Sequence, residues 1–362
     1  MSQRKETIPL LLFFFLGIVI LVIAGSWLWG LISKGSISEP NESPSRTNFI
    51  TPTPSQGQKP LGKKVPLEKE LIGSPGQIYS IAISADGQTL ASGSNDGNIQ
   101  LWNLRAEEPQ SESLTKENRG GIASLAISPN GNILVSGGWG SSDIDIWEIS
   151  TGKLRLSIEN AHLYNIKSLS ISPDEQTLVS GSGDGTIKLW NLETRTLLEK
   201  PFREKTFNTL TISPDGRTVA SSSIDGTITV WNLNNPKATL PWDGDSSDVT
   251  SLIFSRDSEF LISGSNNGII KLWNLETREV IGQLEGHSEA VVSLDISLDG
   301  QKLASGSRNG TVQVWELSSS QLLQTYNLSN YIDERIAVTF DVNGEILIYG
   351  YIFRTIKIWR IR

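Results

Sequence analysis

The 362 residues suffice for one large domain or two ordinary ones, and their strand-rich, turn-rich composition favours one large β domain. The absence of cysteine excludes disulfides, thiol catalysis, thiolate metal sites and a lipid-modified N-terminal cysteine, and with only two histidines, His162 and His287, histidine-rich metal sites are excluded as well. The net charge of −8 is uneven: residues 1–66 hold seven Lys/Arg against three Asp/Glu, while the remainder holds 24 against 36, or −12, and repels a polyanion such as DNA or RNA.

After a short N-terminal flank (1–7), residues 8–32 contain no charged side chain. As a helix they reach about 37 Å at roughly 1.5 Å per residue, against a bilayer core of about 30 Å. Trp27 and Trp29 stand near the end of the run, where tryptophan favours the membrane–water interface. These features predict one transmembrane helix. A cleavable secretory signal is the alternative: Ala24-Gly25-Ser26 resembles a cleavage site, although the apolar run exceeds the roughly 7–15 residues of a signal core. Arg4 and Lys5 flank the N-terminal side closely, which favours a cytoplasmic N-terminus and an exported remainder over a cytoplasmic one. Residues 33–66 carry six prolines and six serines without sustained apolar periodicity, and read as a disordered linker.

From residue 67 to the end a single pattern recurs. In its clearest copy, Val292, Leu294 and Ile296 alternate with polar residues as in a strand, Ser297–Gly300 has turn chemistry, Lys302–Ser307 reads as a second strand, Arg308-Asn309-Gly310 as a tight turn, and Thr311–Leu317 as a third strand ending in tryptophan. Equivalent tryptophans fall at 102, 147, 190, 231, 273, 315 and 359, spaced 41–45 residues apart. That period signals a repeat array and, with four strands per unit, a propeller.

These units resemble the WD-repeat family of β-propellers over residues 67–362. The Trp-Asp dipeptide is degraded, since no repeat tryptophan is followed by Asp, and the Gly-His element survives as Gly286-His287 and as Ala161-His162. The resemblance implies a structural hydrogen-bonded tetrad in repeat three, His162, Ser180, Asp184 and Trp190, and in repeat six His287, Ser305 and Trp315, with Asn309 in place of the aspartate. A hydrolase triad is the rival reading of His–Ser–Asp, but Ser92, Ser221 and Ser263 recur in repeats that lack histidine, and nothing resembling a nucleophile elbow surrounds them.

The expected fold is therefore all-β: a seven-bladed propeller of four-stranded antiparallel blades, preceded by one transmembrane helix. Each family unit is an outer strand d followed by strands a, b and c. The last repeat ends on strand c, so Leu67–Ile72 is expected to pair with it and close the ring, because an open edge exposes unpaired backbone groups. Alternating strand directions put the b–c and d–a loops on one face. On that face, candidate partner-binding residues are Trp139, Trp242, Arg119, Tyr164, Arg203, Asp248 and Arg308. Each of the two tryptophans has a second reading, as a side chain folded back between blades. The resemblance implies a non-catalytic scaffold that binds protein partners; the uncharged run 8–32 adds a membrane anchor, the acidic charge argues against nucleic acid, and no cofactor or metal is expected. Two alternatives remain: a soluble propeller released by signal cleavage, and an enzyme or small-ligand binder at the central channel.

Overall fold

The computed structural model describes residues 67–73, 75–106, 109, 111–116, 120–199, 201–204, 206–233, 235–242, 247–327, 336–342, 344, 346–351 and 355–360. The expected membrane helix 8–32, the linker 33–66 and Arg119 lie outside them, and among the described residues no helix is long and apolar enough to cross a membrane. The regular elements described are β-strands, gathered into seven four-stranded antiparallel sheets.

Blade 1 comprises Ile78–Ile83, Thr89–Ser94, Ile99–Asn103 and Ser111–Leu114 as strands a to d. Blades 2 to 6 repeat this order, with strands a at Ile122–Ile127, Ile166–Ile171, Phe207–Ile212, Val249–Phe254 and Val291–Ile296. Blade 7 is made from both ends of the propeller chain. Its strands a to c are Ala337–Phe340, Ile346–Tyr351 and Thr355–Arg360, and its outer strand is Leu67–Ile72. The pairing runs from Leu67↔Trp359 to Ile72↔Thr355, antiparallel, with a register shift after Leu67.

In blades 1 to 6 strand b is buried from its second residue on, so both its faces are packed, and its sequence shows why. LASGS, LVSGG, LVSGS, VASSS and LISGS combine one large apolar residue with small ones. The recurring glycine leaves room for the first residue of the next blade's strand a. A Cβ on Gly93 would stand 2.4 Å from Ile122, on Gly137 2.8 Å from Ile166, and on Gly181 2.0 Å from Phe207. Blade 4 has Ser222 there instead, and its hydroxyl donates to Val249 O at 2.9 Å.

The apolar core divides accordingly into seven clusters, one at each blade–blade boundary. The boundary of blades 1 and 2, for example, joins Ala91, Ile99, Leu101 and Leu114 to Ile122, Leu125, Leu134 and Trp147. The boundary of blades 7 and 1 joins Leu71, Ile356 and Ile358 to Ile78, Leu90 and Trp102. The ring is thus closed in packing as well as in pairing.

Inner strands are also laced by side chains. Ser80 Oγ accepts from Leu125 N at 3.1 Å, Ser124 Oγ from Leu169 N at 3.0 Å, Ser168 Oγ from Leu210 N at 3.3 Å, and Ser293 Oγ from Val338 N at 3.1 Å. The a–b turns share one construction. In blade 1 Ser84 Oγ donates to Asp86 Oδ1 at 2.6 Å, Thr89 N donates back to Ser84 Oγ at 2.9 Å, and Gly87 takes φ of 68°. Glu175 and Ser258 hold the same left-handed position in blades 3 and 5, and each bonds a turn one blade away: Asn130 N donates to Glu175, and Asp215 N to Ser258 Oγ.

Two expectations need revision. Blade 3 has an outer strand of only two residues, Phe202–Arg203, so Arg203 belongs to a strand and not to a loop. Trp242 is not in a loop either: it is the last residue of the outer strand Asn235–Trp242 of blade 4, where Ile228 is its partner.

Because Leu67–Ile72 covers the strand that bears Ile356 and Ile358 and contributes Leu71 to the core, its deletion is expected to cost several kcal/mol, about the cost of one or two large core truncations. Deletion of 34–60 is expected to change stability by no more than about 0.5 kcal/mol. Denaturant unfolding of the two deletion variants checks this, and equal midpoints would refute closure by the first strand.

Candidate functional site

Strand direction places the b–c and d–a loops together, and backbone hydrogen bonds tie them. In six blades the b–c turn donates to a d–a carbonyl, as in Asn95 N to Gln77 O at 2.9 Å, Trp139 N to Gly121 O at 2.7 Å and Arg308 N to Ala290 O at 2.8 Å. This face surrounds the mouth of the central channel. The first six strands a each shift register between their first and third residues. Such a bulge leaves one residue outside the ladder and re-aims its side chain. The residues so placed are Tyr79, Ala123, Lys167, Asn208, Thr250 and Val292, and all six line a cavity of about 420 Å³ at the mouth.

Two side chains from the b–c turns also line it, Trp139 of blade 2 and Arg308 of blade 6, together with Ser124, Ser168, Thr209 and Ile336. Trp139 is half-buried. Its ring meets Tyr79 edge-on, with centroids 4.5 Å apart and an interplanar angle of 84°. The loop that carries it is pressed against Gly120 and Gly121, where a Cβ on Gly120 would collide with Trp139 O. Trp139 belongs to none of the seven core clusters.

Most polar groups at the mouth already have partners. Lys167 Nζ donates to Phe207 O at 2.8 Å, and Asn208 Nδ2 to Val249 O at 2.8 Å. Burial pushes the Lys167 ammonium below its ordinary value. Arg308 differs: its Nε is buried and has no hydrogen-bond partner.

The other candidates are scattered. Tyr164 is 66% exposed in the d–a loop of blade 3, beside Leu163, which is 84% exposed and was not singled out from the sequence. Arg203 is exposed and Asp248 half-buried. Trp242 is buried against Trp273, ring centroids 6.1 Å apart, among Ile228, Val249 and Phe254. It is a core residue, so its candidacy as a binding anchor is withdrawn. The bulged mouth residues escaped the sequence reading because alternation alone assigns them to a sheet face; a bulge is invisible to it.

The histidines lie away from this mouth, inside their blades. Trp190 Nε1 donates to Ser180 Oγ at 2.8 Å, and Ser180 Oγ lies 2.7 Å from His162 Nε2. His162 Nδ1 lies 2.9 Å from Thr186 Oγ1, which donates to Asp184 Oδ1 at 2.5 Å. Asp184 Oδ2 is 3.4 Å from His162 Nδ1 and accepts from Leu163 N at 2.8 Å. Donors and acceptors fit one direction only: indole to serine to Nε2, then Nδ1–H to threonine to carboxylate. Thr186 is thus a fifth member, present in the recurring Asp-Gly-Thr turn of the sequence.

Blade 6 repeats the chain. Trp315 Nε1 donates to Ser305 Oγ at 2.9 Å, His287 Nε2 lies 2.7 Å from Ser305 Oγ, and His287 Nδ1 lies 3.0 Å from Thr311 Oγ1. Asn309 Oδ1 accepts from Thr311 Oγ1 at 2.6 Å, so the amide oxygen does the work of a carboxylate. In blade 4, Glu204 takes over, with hydroxyl donors Ser221 and Ser223, and burial raises its carboxyl above the ordinary value. Blade 2 uses an ion pair, Lys116 Nζ to Asp145 Oδ1 at 2.9 Å. Both histidines are lowered to about 4, chiefly by burial; Asp184 partly opposes that for His162. Burial pushes the Asp184 carboxyl up, but hydrogen bonds from Thr186 and Leu163 outweigh it and leave it below the usual range. A serine held between two ring nitrogens in a dry interior has no route to a substrate. Among the described residues no group of three His, Cys, Asp or Glu is placed to hold a metal ion.

The family profile described as IFT122 first beta-propeller matches residues 121–360, and that of the WD domain, G-beta repeat, matches residues 66–103. This chain belongs to the WD-repeat β-propeller family. It is similar to Protein ROOT INITIATION DEFECTIVE 3 of Arabidopsis thaliana, with 34% identity over 33% of this chain and 28% of that protein. It is also similar to the B-type cell cycle switch protein ccs52B of Medicago truncatula, with 30% identity over 34% of each chain. A third relative is U3 small nucleolar RNA-associated protein 12 of Saccharomyces cerevisiae, with 27% identity over 47% of this chain and 18% of that protein. The matches span about a third or less of these curated relatives' lengths.

The buried histidines of this WD-repeat chain make its stability pH-dependent. Their folded values lie near 4 against 6.5 unfolded, so unfolding at pH 5.5 takes up about two protons from them. The stabilisation is complete above about pH 6.5 and is lost as pH falls toward 4. Denaturant unfolding between pH 7 and 4.5 is expected to show this slope, flattened in the double variant His162→Gln/His287→Gln; an unchanged slope would refute it.

Proposed function

We propose that this protein is a non-catalytic scaffold, held at a membrane by residues 8–32, that captures a protein partner on the b–c/d–a face of its propeller. The observation that carries this reading is the placement of surplus binding groups. Exposed Leu163 and Tyr164, together with the mouth residues Trp139 and Arg308, share the face opposite the end at which the chain enters the propeller. Leu67 pairs with Trp359, at the end of strand c, so the chain enters at the a–b/c–d end. A tether arriving there leaves the other face open. Aromatic and arginine side chains are favoured anchors of protein interfaces. Membership of the WD-repeat family supports the scaffold role, and the uncharged run 8–32 supports the anchor.

The charge flanking residues 8–32 favours a cytoplasmic N-terminus with the propeller on the far side. Protease treatment of intact cells, after any outer barrier is opened, is expected to cut within 33–66 and release the propeller; protection until the membrane is dissolved would place the propeller in the cytoplasm. A photo-crosslinking residue at Tyr164 is expected to trap a partner, and one at the 58%-exposed Leu298, on the a–b/c–d side, to trap none. The reverse pattern would refute the face assignment. An intact mass lacking residues 1–24 would replace the anchor by a released soluble form.

A further inference from the structure

We infer that the mouth of the central channel binds an oxyanion carried on a peptide segment, an acidic side chain inserted between Arg308 and Lys167; this rests on the scaffold reading and names the chemistry of its partner. The cavity of about 420 Å³ is within the range of ligand pockets. Among the described residues that line it, the two ionisable charges are both positive, Lys167 and Arg308, and none is Asp or Glu. This is the reverse of its setting, since residues 67–362 carry −12. A cationic spot in an acidic protein is ordinarily neutralised by a neighbouring carboxylate; in this chain the Lys116 of blade 2 is neutralised in that way, by Asp145 and by Asp143 at 3.4 Å.

The hydrogen-bonding inventory of the mouth sharpens the point. Ser124 and Ser168 spend their oxygens on Leu169 N and Leu210 N, Asn208 spends its amide on Val249 O, and Thr250 Oγ1 donates to Gly264 O at 3.0 Å. These groups lace the blades together. Arg308 laces nothing with its side chain: only its backbone N is bonded, to Ala290 O, while Nε is buried without an acceptor. A buried Nε–H without an acceptor costs free energy unless a ligand meets it, and a planar carboxylate or a phosphate suits the guanidinium fork. Lys167 supplies a second, partly desolvated cation on the opposite arc of the ring, with one proton committed to Phe207 O. The Tyr79–Trp139 pair forms an apolar wall for the stem of the inserted side chain.

The test uses the full-length chain in detergent micelles and fluorescein-labelled hexapeptides that alternate Gly with Glu, with Gln or with phosphoserine. The Glu peptide is expected to bind saturably by fluorescence anisotropy, weakening as salt is raised, and the Gln peptide not to bind. Arg308→Gln is expected to weaken binding about tenfold or more, and Arg308→Lys less. Arg203→Gln, an exposed cation on the same face but outside the cavity, is expected to leave binding unchanged. Tighter binding of the phosphoserine peptide would identify phosphate as the source of the oxyanion, and tighter binding of the Glu peptide would identify carboxylate. The proposal is overturned by no saturable binding, by equal binding of the Gln peptide, by an Arg308→Gln variant of unchanged affinity, or by equal losses in Arg308→Gln and Arg203→Gln. Crosslinking from Tyr164 would persist if only this proposal failed, and would vanish if the scaffold reading failed.

Discussion

The contact between the small residue of one strand b and the first residue of the next strand a is the constraint on which the whole ring depends. Gly93 against Ile122, Gly137 against Ile166 and Gly181 against Phe207 each let two sheets approach at a distance that a single methyl group would forbid. A blade by itself has two apolar faces and no core of its own. Its buried residues become a core only when a neighbour covers them, so the stability of any one blade is shared with the two beside it. The arrangement has no natural end except closure. The strand Leu67–Ile72 provides it by joining residues almost three hundred positions apart into one sheet.

In five blades a tryptophan is fixed by a serine, with Nε1–Oγ distances of 2.8 Å at Trp147–Ser136, Trp190–Ser180 and Trp273–Ser263, 2.9 Å at Trp315–Ser305, and 3.3 Å at Trp102–Ser92. What sits behind the serine varies. Blades 3 and 6 use a neutral histidine chain, blade 4 a largely enclosed glutamate, and blade 2 a lysine–aspartate pair. The position is wholly or partly buried in each case, and burial demands that donors and acceptors match but not that they be of one chemical type. This explains why the family signature is degraded in the sequence while the sheets remain alike.

The same backbone device shapes the channel mouth. A bulge at the second residue of six inner strands turns six unlike side chains, from Ala123 to Lys167, toward a common opening. The scaffold is repeated and the lining is not, which separates the part of the chain that holds the ring together from the part that distinguishes one propeller from another. Exposed Leu163 and Tyr164 belong to the second class, and so does Arg308, whose guanidinium contributes nothing to the lacing of the blades.

Much of this was written in the linear chain. Tryptophans at 41–45-residue intervals and Ser-x-Asp-Gly turns determine the blades and their order, because strand period and turn chemistry are local properties. Residues 8–32 likewise declare their hydrophobic length without any fold. Tertiary structure alone decided what depends on neighbours far away in sequence. It sent Trp242 into the core beside Trp273 and left Trp139 at the mouth beside Tyr79, although the sequence reads both as loop tryptophans. It placed Thr186 between histidine and aspartate, and it denied an acceptor to Arg308. A side chain's burial and hydrogen-bond partners are set by which blades meet around it, and that is a property of the closed ring, which no segment carries by itself.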